Sequence, residues 1–407
     1  MKNSLVAQLL RLVATLIIIC TACAAATQQT IYTFPPNGAN GSNPMGGLIA
    51  DSAGNLYGTT KTGGAYNFGT VYELLNDGSW TQKVLYNFAG YKNHDGEYPG
   101  AALVIDANAN LYGTTLQGGK GGGIAHGSGT AFMLSRNIGY RETIIHYFGG
   151  QAIFPTGIVM DTSGTLYVTV SQWKMGCCGS ILRFFLNKAG AWAGSVLHNF
   201  GAYSGDGAGP TPGMVLDNSG NLYGTTIGGG ANGYGTVFKL TRFTKKKKVT
   251  FTESVIYSFS YAGGANPEAA PVFDSSGNLY GTTVGGGDSN NDGVVYQLVP
   301  GNGTWTENVL HVFGSPGDGN QTSAGLIFDN AGNLYGTTPQ GPSSDGVVFE
   351  LSPTQDGPWT ETILYTSPQG TGGTLNAPLL WDAPQASFFS TTAAGHSGAG
   401  TVYEITP

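Results

Sequence analysis

The sequence predicts an all-β fold, a seven-bladed β-propeller of four-stranded blades whose ring is closed by an N-terminal strand completing the last blade. Three observations carry that expectation. The segment Gly54-Asn55-Leu56-Tyr57-Gly58-Thr59-Thr60 recurs verbatim at 220–226, 277–283 and 332–338, and in altered form at 109–115, 164–170 and 388–392. An Asp precedes each copy, at 51, 106, 161, 217, 274, 329 and 382, so the period is about 55 residues. Only 10% of the 407 residues are charged while 67 are Gly, a composition that disfavours salt-bridged helical bundles and favours turns. A repeat of this length suits propeller blades, since the coils of a β-helix are far shorter.

The chain starts with a segment that does not fit the repeat. Lys2 and Arg11 stand before an apolar run from Leu12 that ends in Ala24-Ala25-Ala26. Such a run is short for a bilayer span and offers a small-residue cleavage site, so residues 1–26 read as a signal peptide. Cys23 offers a lipid-attachment alternative, although Cys20 occupies the place where that motif prefers Leu. Residues 27–407 are then a single propeller domain, secreted or held at the cell surface, monomeric and without a transmembrane span. Beyond the leader only Cys177 and Cys178 remain, so no disulfide framework holds the fold.

Each unit reads as four strands. The first is a short apolar run such as Ala102-Leu103-Val104-Ile105, followed by a tight turn built on the Asp. The second is Asn-Leu-Tyr-Gly-Thr-Thr. A Gly-rich loop leads to the third, as in Gly69-Thr70-Val71-Tyr72-Glu73-Leu74, and a hairpin to the fourth, as in Val84-Leu85-Tyr86-Asn87-Phe88. The last unit ends after its third strand. Thr30-Ile31-Tyr32-Thr33-Phe34 has the fourth-strand pattern and stands alone before the first unit, so pairing the two removes two open edges. The repeated Gly at 58, 113, 224, 281 and 336 is expected to let neighbouring blades approach closely.

This pattern of Asp-x-x-Gly-Asn-Leu-Tyr-Gly-Thr-Thr, a Gly-Gly loop, Gly-Thr-Val-Phe/Tyr and an aromatic strand ending in Phe resembles the Gloeobacter/Verrucomicrobia ("GloVer") tandem repeat of exported bacterial proteins. The resemblance covers about 28–407. It implies an extracytoplasmic repeat protein and brings no catalytic residues with it.

Charge and motifs limit the function classes. A net charge of −7, with few basic residues, disfavours nucleic acid as a partner. The cluster Lys245, Lys246, Lys247 and Lys248 falls at a hairpin tip on the face of the Asp turns, where like charges are usually solvated and attraction to anionic polysaccharide is secondary. The seven Asp residues read as turn caps rather than a carboxylate ring. His146, His198 and His311 take the place of Tyr in fourth strands and read as aromatic packing.

The opposite face gathers the Gly-rich loops and the connections between blades, and is the expected ligand face. There His94, Asp95 and Glu97 enter the second blade and His126 lies in its loop, a group suited to acid–base work or metal ligation if it converges. Trp173 offers a sugar-stacking surface, Cys177 and Cys178 a vicinal disulfide, and His396 a further polar group. Asp288-Ser289-Asn290-Asn291-Asp292-Gly293 matches half a calcium loop but lacks the acidic twelfth residue, leaving a polar turn. The expectation is a non-catalytic binding or scaffold protein that engages an extracellular glycan or protein, with no cofactor and no metal. A polysaccharide hydrolase or lyase using His94, Asp95, Glu97 and His126, or acids such as Asp206 and Asp318, is the rival. A purely structural envelope protein is the third reading.

Overall fold

The computed structural model describes residues 26–120, 126–149, 152–173, 178–246, 248–341, 344–354, 357–368, 374–375, 377–393 and 398–407. Seven antiparallel sheets follow one another in chain order and make a seven-bladed β-propeller. Blade 1 consists of Ile49–Ala50, Leu56–Thr60, Thr70–Leu75 and Thr81–Asn87, each strand paired with the next. Blades 2 and 4 add the short strands Gly96–Pro99 and Gly207–Pro210, which pair with the lengthened second strands Leu111–Gly118 and Leu222–Gly229. In the last blade Leu380–Asp382, Ser387–Thr392 and Thr401–Thr406 are joined by Thr27–Thr33.

That N-terminal strand closes the ring as the end accounting requires. Thr27 lies opposite Thr406 and Thr33 opposite Thr401, and the Phe34 amide donates to the Gly400 carbonyl at 3.0 Å. Among the described residues three single 3₁₀ turns interrupt the strands, and no described helix is long and apolar enough to cross a membrane.

The core lies between the blades. Each of seven buried clusters takes side chains from two successive blades; Tyr57, Val71 and Phe88 of blade 1 pack with Leu111, Phe132 and Leu134 of blade 2, and Phe34, Phe389 and Val402 of blade 7 with Leu56, Tyr72 and Leu74 of blade 1. A sheet alone cannot bury both of its faces. The ring does so seven times over, and therefore each seam depends on its neighbours.

The repeated motif follows from local chemistry. Asp51 Oδ1 accepts the amides of Ala53 and Asn55, and its Oδ2 accepts the Asn55 side-chain amide and the Tyr57 hydroxyl. The same turn recurs at Asp106, Asp217, Asp274 and Asp329, so these carboxylates cap turns. The two Thr residues divide the remaining work. Thr225 Oγ1 donates to the Ala269 carbonyl of the next blade at 2.8 Å, and Thr226 Oγ1 pairs with Thr236 Oγ1 at the start of the third strand.

The repeated Gly serves a neighbour other than the one expected. A Cβ on Gly113 would stand 2.5 Å from Phe132 Cζ and 2.8 Å from Leu103 Cδ2, both in its own blade, so the missing side chain makes room for the third-strand aromatic ring rather than for an adjacent blade. Blade 3 shows the converse solution. Val168 takes the Gly position there, and the residue opposite is Leu182 instead of Phe or Tyr. We therefore expect Gly113→Val to destabilise by about 1–3 kcal/mol through overpacking, and Phe132→Leu in the same chain to restore part of that loss. Urea unfolding of the two single variants and the double variant measures the coupling; strict additivity would contradict the packing account.

Candidate functional site

A cavity of about 780 Å³ opens on the face of the Asp turns, where blades 2, 3 and 4 meet. Its floor and walls carry Tyr112, Tyr167, Phe185 and Trp192, and four cations converge on it: Arg183, Arg242, Lys246 and Lys248. The blade 4 hairpin makes this possible. Its strands, Thr236–Lys245 and Lys248–Ser258, run several residues beyond those of other blades and carry the lysines outward with Lys245 paired to Lys248. Arg183 is held by Ser195 Oγ at 3.2 Å and the Val249 carbonyl at 3.3 Å, with its guanidinium 5.0 Å from the Phe185 ring centre. Asp106, at the margin, is occupied by its turn, whose hydrogen bonds hold its carboxyl below the ordinary carboxylate range despite some burial.

A second arrangement recurs at three alternating seams. In each, the fourth-strand aromatic of one blade meets a buried Asp from the following connection and a Glu from the fourth strand of the next blade. Between blades 3 and 4, His198 Nε2 lies 3.2 Å from Asp206 Oδ2 and 3.9 Å from Glu253 Oε2. Between blades 5 and 6, His311 Nε2 lies 3.0 Å from Asp318 Oδ2 and 3.6 Å from Glu361 Oε1. Between blades 1 and 2, Tyr86 replaces the imidazole and its hydroxyl meets Asp95 Oδ2 and Glu142 Oε2, both at 3.0 Å.

The Asp in each seam also closes its loop. Asp206 accepts the Ala202 and Gly207 amides, Asp318 those of Gly314 and Gly319, and Asp95 those of Ala89 and Gly96. Burial, reinforced by the nearby Asp95 charge, pushes the Glu142 carboxyl up to about 9. Burial likewise raises Glu253. For His311 burial disfavours the charged ring, but the Asp318 hydrogen bond and the Glu361 and Asp318 charges outweigh it and raise the imidazole. Among the described residues, every ion pair within 4 Å uses a His as the cation, so no Lys or Arg neutralises these buried acids.

The Gloeobacter/Verrucomicrobia repeat profile matches residues 18–215 and 211–407. The chain belongs to this repeat family. No curated protein matches the sequence. Among solved structures, a Mycobacterium tuberculosis puromycin-hydrolyzing peptidase shares 12% identity at a TM-score of 0.52, over 93% of this chain and 54% of the peptidase. The repeat protein thus spans about half of that neighbour's length, and the likeness is one of fold. A luciferin-regenerating enzyme aligns at 10% identity and a TM-score of 0.45, over 94% of this chain and 95% of its own.

Of the residues singled out from sequence, the structure of the repeat protein describes the side chains of His94, Asp95, His126 and Cys178. His94 is exposed at the end of a 3₁₀ turn, Tyr91–Asn93, with φ of 58°. Asp95 is buried and turns to Tyr86 and Ala89, away from His126. His126 Nδ1 lies 3.6 Å from Glu97 Oε2, with the imidazole more than half exposed and its edge on Tyr91. Trp173 ends the strand Leu166–Trp173, while its side chain, Cys177 and His396 lie outside the described residues. Cys178 adopts φ of 53° and packs on the seam between blades 3 and 4. The half calcium loop is a polar turn in which Asp288 Oδ1 accepts the Asn290 amide.

His198 and His311 correct the packing interpretation in part. Each does stand edge-on to a Phe at 4.8 Å, but its ring nitrogen engages carboxylates. His146, in whose seam the described residues include no acid contact to it, makes ring contacts to Phe148 and Phe184, and burial lowers its affinity for a proton. The missed signal was in phase with the repeat: Glu four residues before the aromatic of one blade, and Asp-Gly at 95–96, 206–207 and 318–319.

Proposed function

We propose that this repeat protein is an exported binding protein that holds an anionic polysaccharide, one bearing carboxylate or sulfate groups, in the groove between blades 2, 3 and 4. The observation that carries the reading is the concentration of positive charge. A chain with a net charge of −7 and only 17 Lys and Arg places four of them around one cavity together with the half-buried rings of Phe185 and Trp192. Cations meet the acidic groups of such a glycan, and aromatic faces stack on its sugar rings. The remaining surface repels polyanions, which confines binding to the groove. The one carboxylate at its margin is committed to a turn, which supports retention of the ligand without acid–base chemistry.

The test is retention on polygalacturonate and heparin, with a short single-stranded oligonucleotide as competitor. The variant Lys246→Ala/Lys248→Ala, on an exposed hairpin, is expected to bind roughly tenfold more weakly, since each contact contributes at most about 1 kcal/mol, and to show a shallower salt dependence. Trp192→Ala is expected to weaken binding several-fold at unchanged salt dependence. Unaltered affinity in both variants, or preference for the oligonucleotide, would remove this reading.

A further inference from the structure

We infer that the seams between blades 3 and 4 and between blades 5 and 6 are two sites for a first-row divalent cation of the zinc class, ligated by His198, Asp206 and Glu253 and by His311, Asp318 and Glu361.

The ligand atoms of each group all lie within 4.8 Å of one another. Donors on a tetrahedral shell of 2.0–2.1 Å stand about 3.3 Å apart, and the His198–Asp206 and His311–Asp318 separations of 3.2 and 3.0 Å are near that edge. One imidazole with two carboxylates is the donor set of zinc and its first-row neighbours; calcium and magnesium prefer oxygen alone.

A separate observation points to a missing partner. The Glu253 side chain is only 2% exposed, yet its Oε1 has no hydrogen-bond partner, and Glu361 Oε1 also lacks one. The other oxygen of Glu253 is already taken by the Tyr203 hydroxyl at 2.6 Å. A buried carboxylate short of a donor is costly, and a cation bound by the Glu253 carboxylate, whose Oε2 lies 3.9 Å from His198 Nε2, together with His198 and Asp206 would offset that cost. The outer contacts are those that orient ligands in metal sites: Tyr203 fixes the Glu, and the Ala202 and Gly207 amides fix the Asp. The His edges, 13% and 17% exposed, leave a path from solvent.

The third seam is an internal control. Tyr86 fills the His position there, and its phenol oxygen is hydrogen-bonded to both Asp95 and Glu142, donating its one proton to Asp95 and accepting that of the protonated Glu142, where an imidazole would ligate an ion. Because the fold already accepts Tyr at this place, His198→Tyr and His311→Tyr are conservative removals.

Isothermal titration of zinc ions into chelator-treated protein at neutral pH is expected to show two ions per chain. His198→Tyr should lose one, the double variant both, and Tyr86→His should gain one beside Asp95 and Glu142. Glu253→Gln, which keeps side-chain shape, should weaken its own site at least tenfold. His146→Ala, in a seam where no acid among the described residues contacts the ring, should leave two. Cobalt, added in place of zinc, should give visible absorption bands that disappear in the double Tyr variant. No zinc uptake by the folded wild type, or equal uptake by wild type and double variant, overturns the proposal and leaves the imidazoles as hydrogen-bonding clamps. The groove variants test a separate site, so their outcome does not bear on this one.

Discussion

Deleting residues 27–33 is expected to convert the protein from a closed ring into aggregated or open material. The segment supplies the outer strand of blade 7, with six partner positions along Thr401–Thr406. Its loss strips that strand of a neighbour and takes the Tyr32 hydroxyl from Gln82 Oε1, at 2.7 Å, on the adjoining blade. Phe34, immediately after it, is fully buried against Tyr72, and freeing that side chain alone forfeits about 1.5–3 kcal/mol. The larger consequence is topological. Two open edges replace a closed circle, and unpaired edges template association between chains. Size-exclusion chromatography and a heat-unfolding scan of the truncated chain check this; a monomer that melts at the wild-type temperature would show that the seam between blades 7 and 1 needs no strand exchange. Adding back a peptide of residues 27–34 should restore part of the closed ring, because its register on Thr401–Thr406 is held by strand pairing and by packing around the buried Val402, Tyr403 and Ile405 rather than by the covalent link.

What could be read from sequence was local and repeated. The Asp turn, the Thr pairs and the strand order each arise from residues within one unit and recur in phase, so the period alone exposes them, and the incomplete last unit exposes the closure. The seams were harder because their partners are a full repeat apart. His198 and Glu253 are separated by one blade, and whether their side chains meet depends on the stagger of two sheets that no local pattern fixes. Asp95 illustrates the difficulty: its sequence neighbours are His94 and Glu97, but its chemical neighbours are Tyr86 and Glu142. The groove was illegible for another reason. Arg183 and Trp192 occupy ordinary strand positions and come to line one cavity with Lys246 and Lys248 because the blade 4 hairpin is long enough to reach them.

The Tyr86 seam makes a prediction of its own about pH. Glu142 holds a proton in the folded protein up to about pH 9, because burial and the Asp95 charge oppose its ionisation, whereas in the unfolded chain it releases that proton near the ordinary glutamate value of 4.5. Between those limits the folded state binds more protons than the unfolded state. Stability therefore falls as pH rises, by up to about 1.4 kcal/mol per pH unit for one proton. Glu142→Gln carries no titrating group yet keeps a neutral side chain able to hydrogen-bond with Tyr86 and Asp95. We expect it to match wild type near pH 5, to exceed it by several kcal/mol at pH 8 to 9, and to flatten the profile between. Asp95→Asn should behave differently. Asp95 also accepts the Ala89 and Gly96 amides, so replacing one oxygen by an amide nitrogen breaks a loop contact at every pH, and the curve should drop. Urea midpoints from pH 5 to 9 for the three proteins separate these cases. Parallel curves for wild type and Glu142→Gln would mean that the carboxyl titrates normally and that the seam is open to solvent.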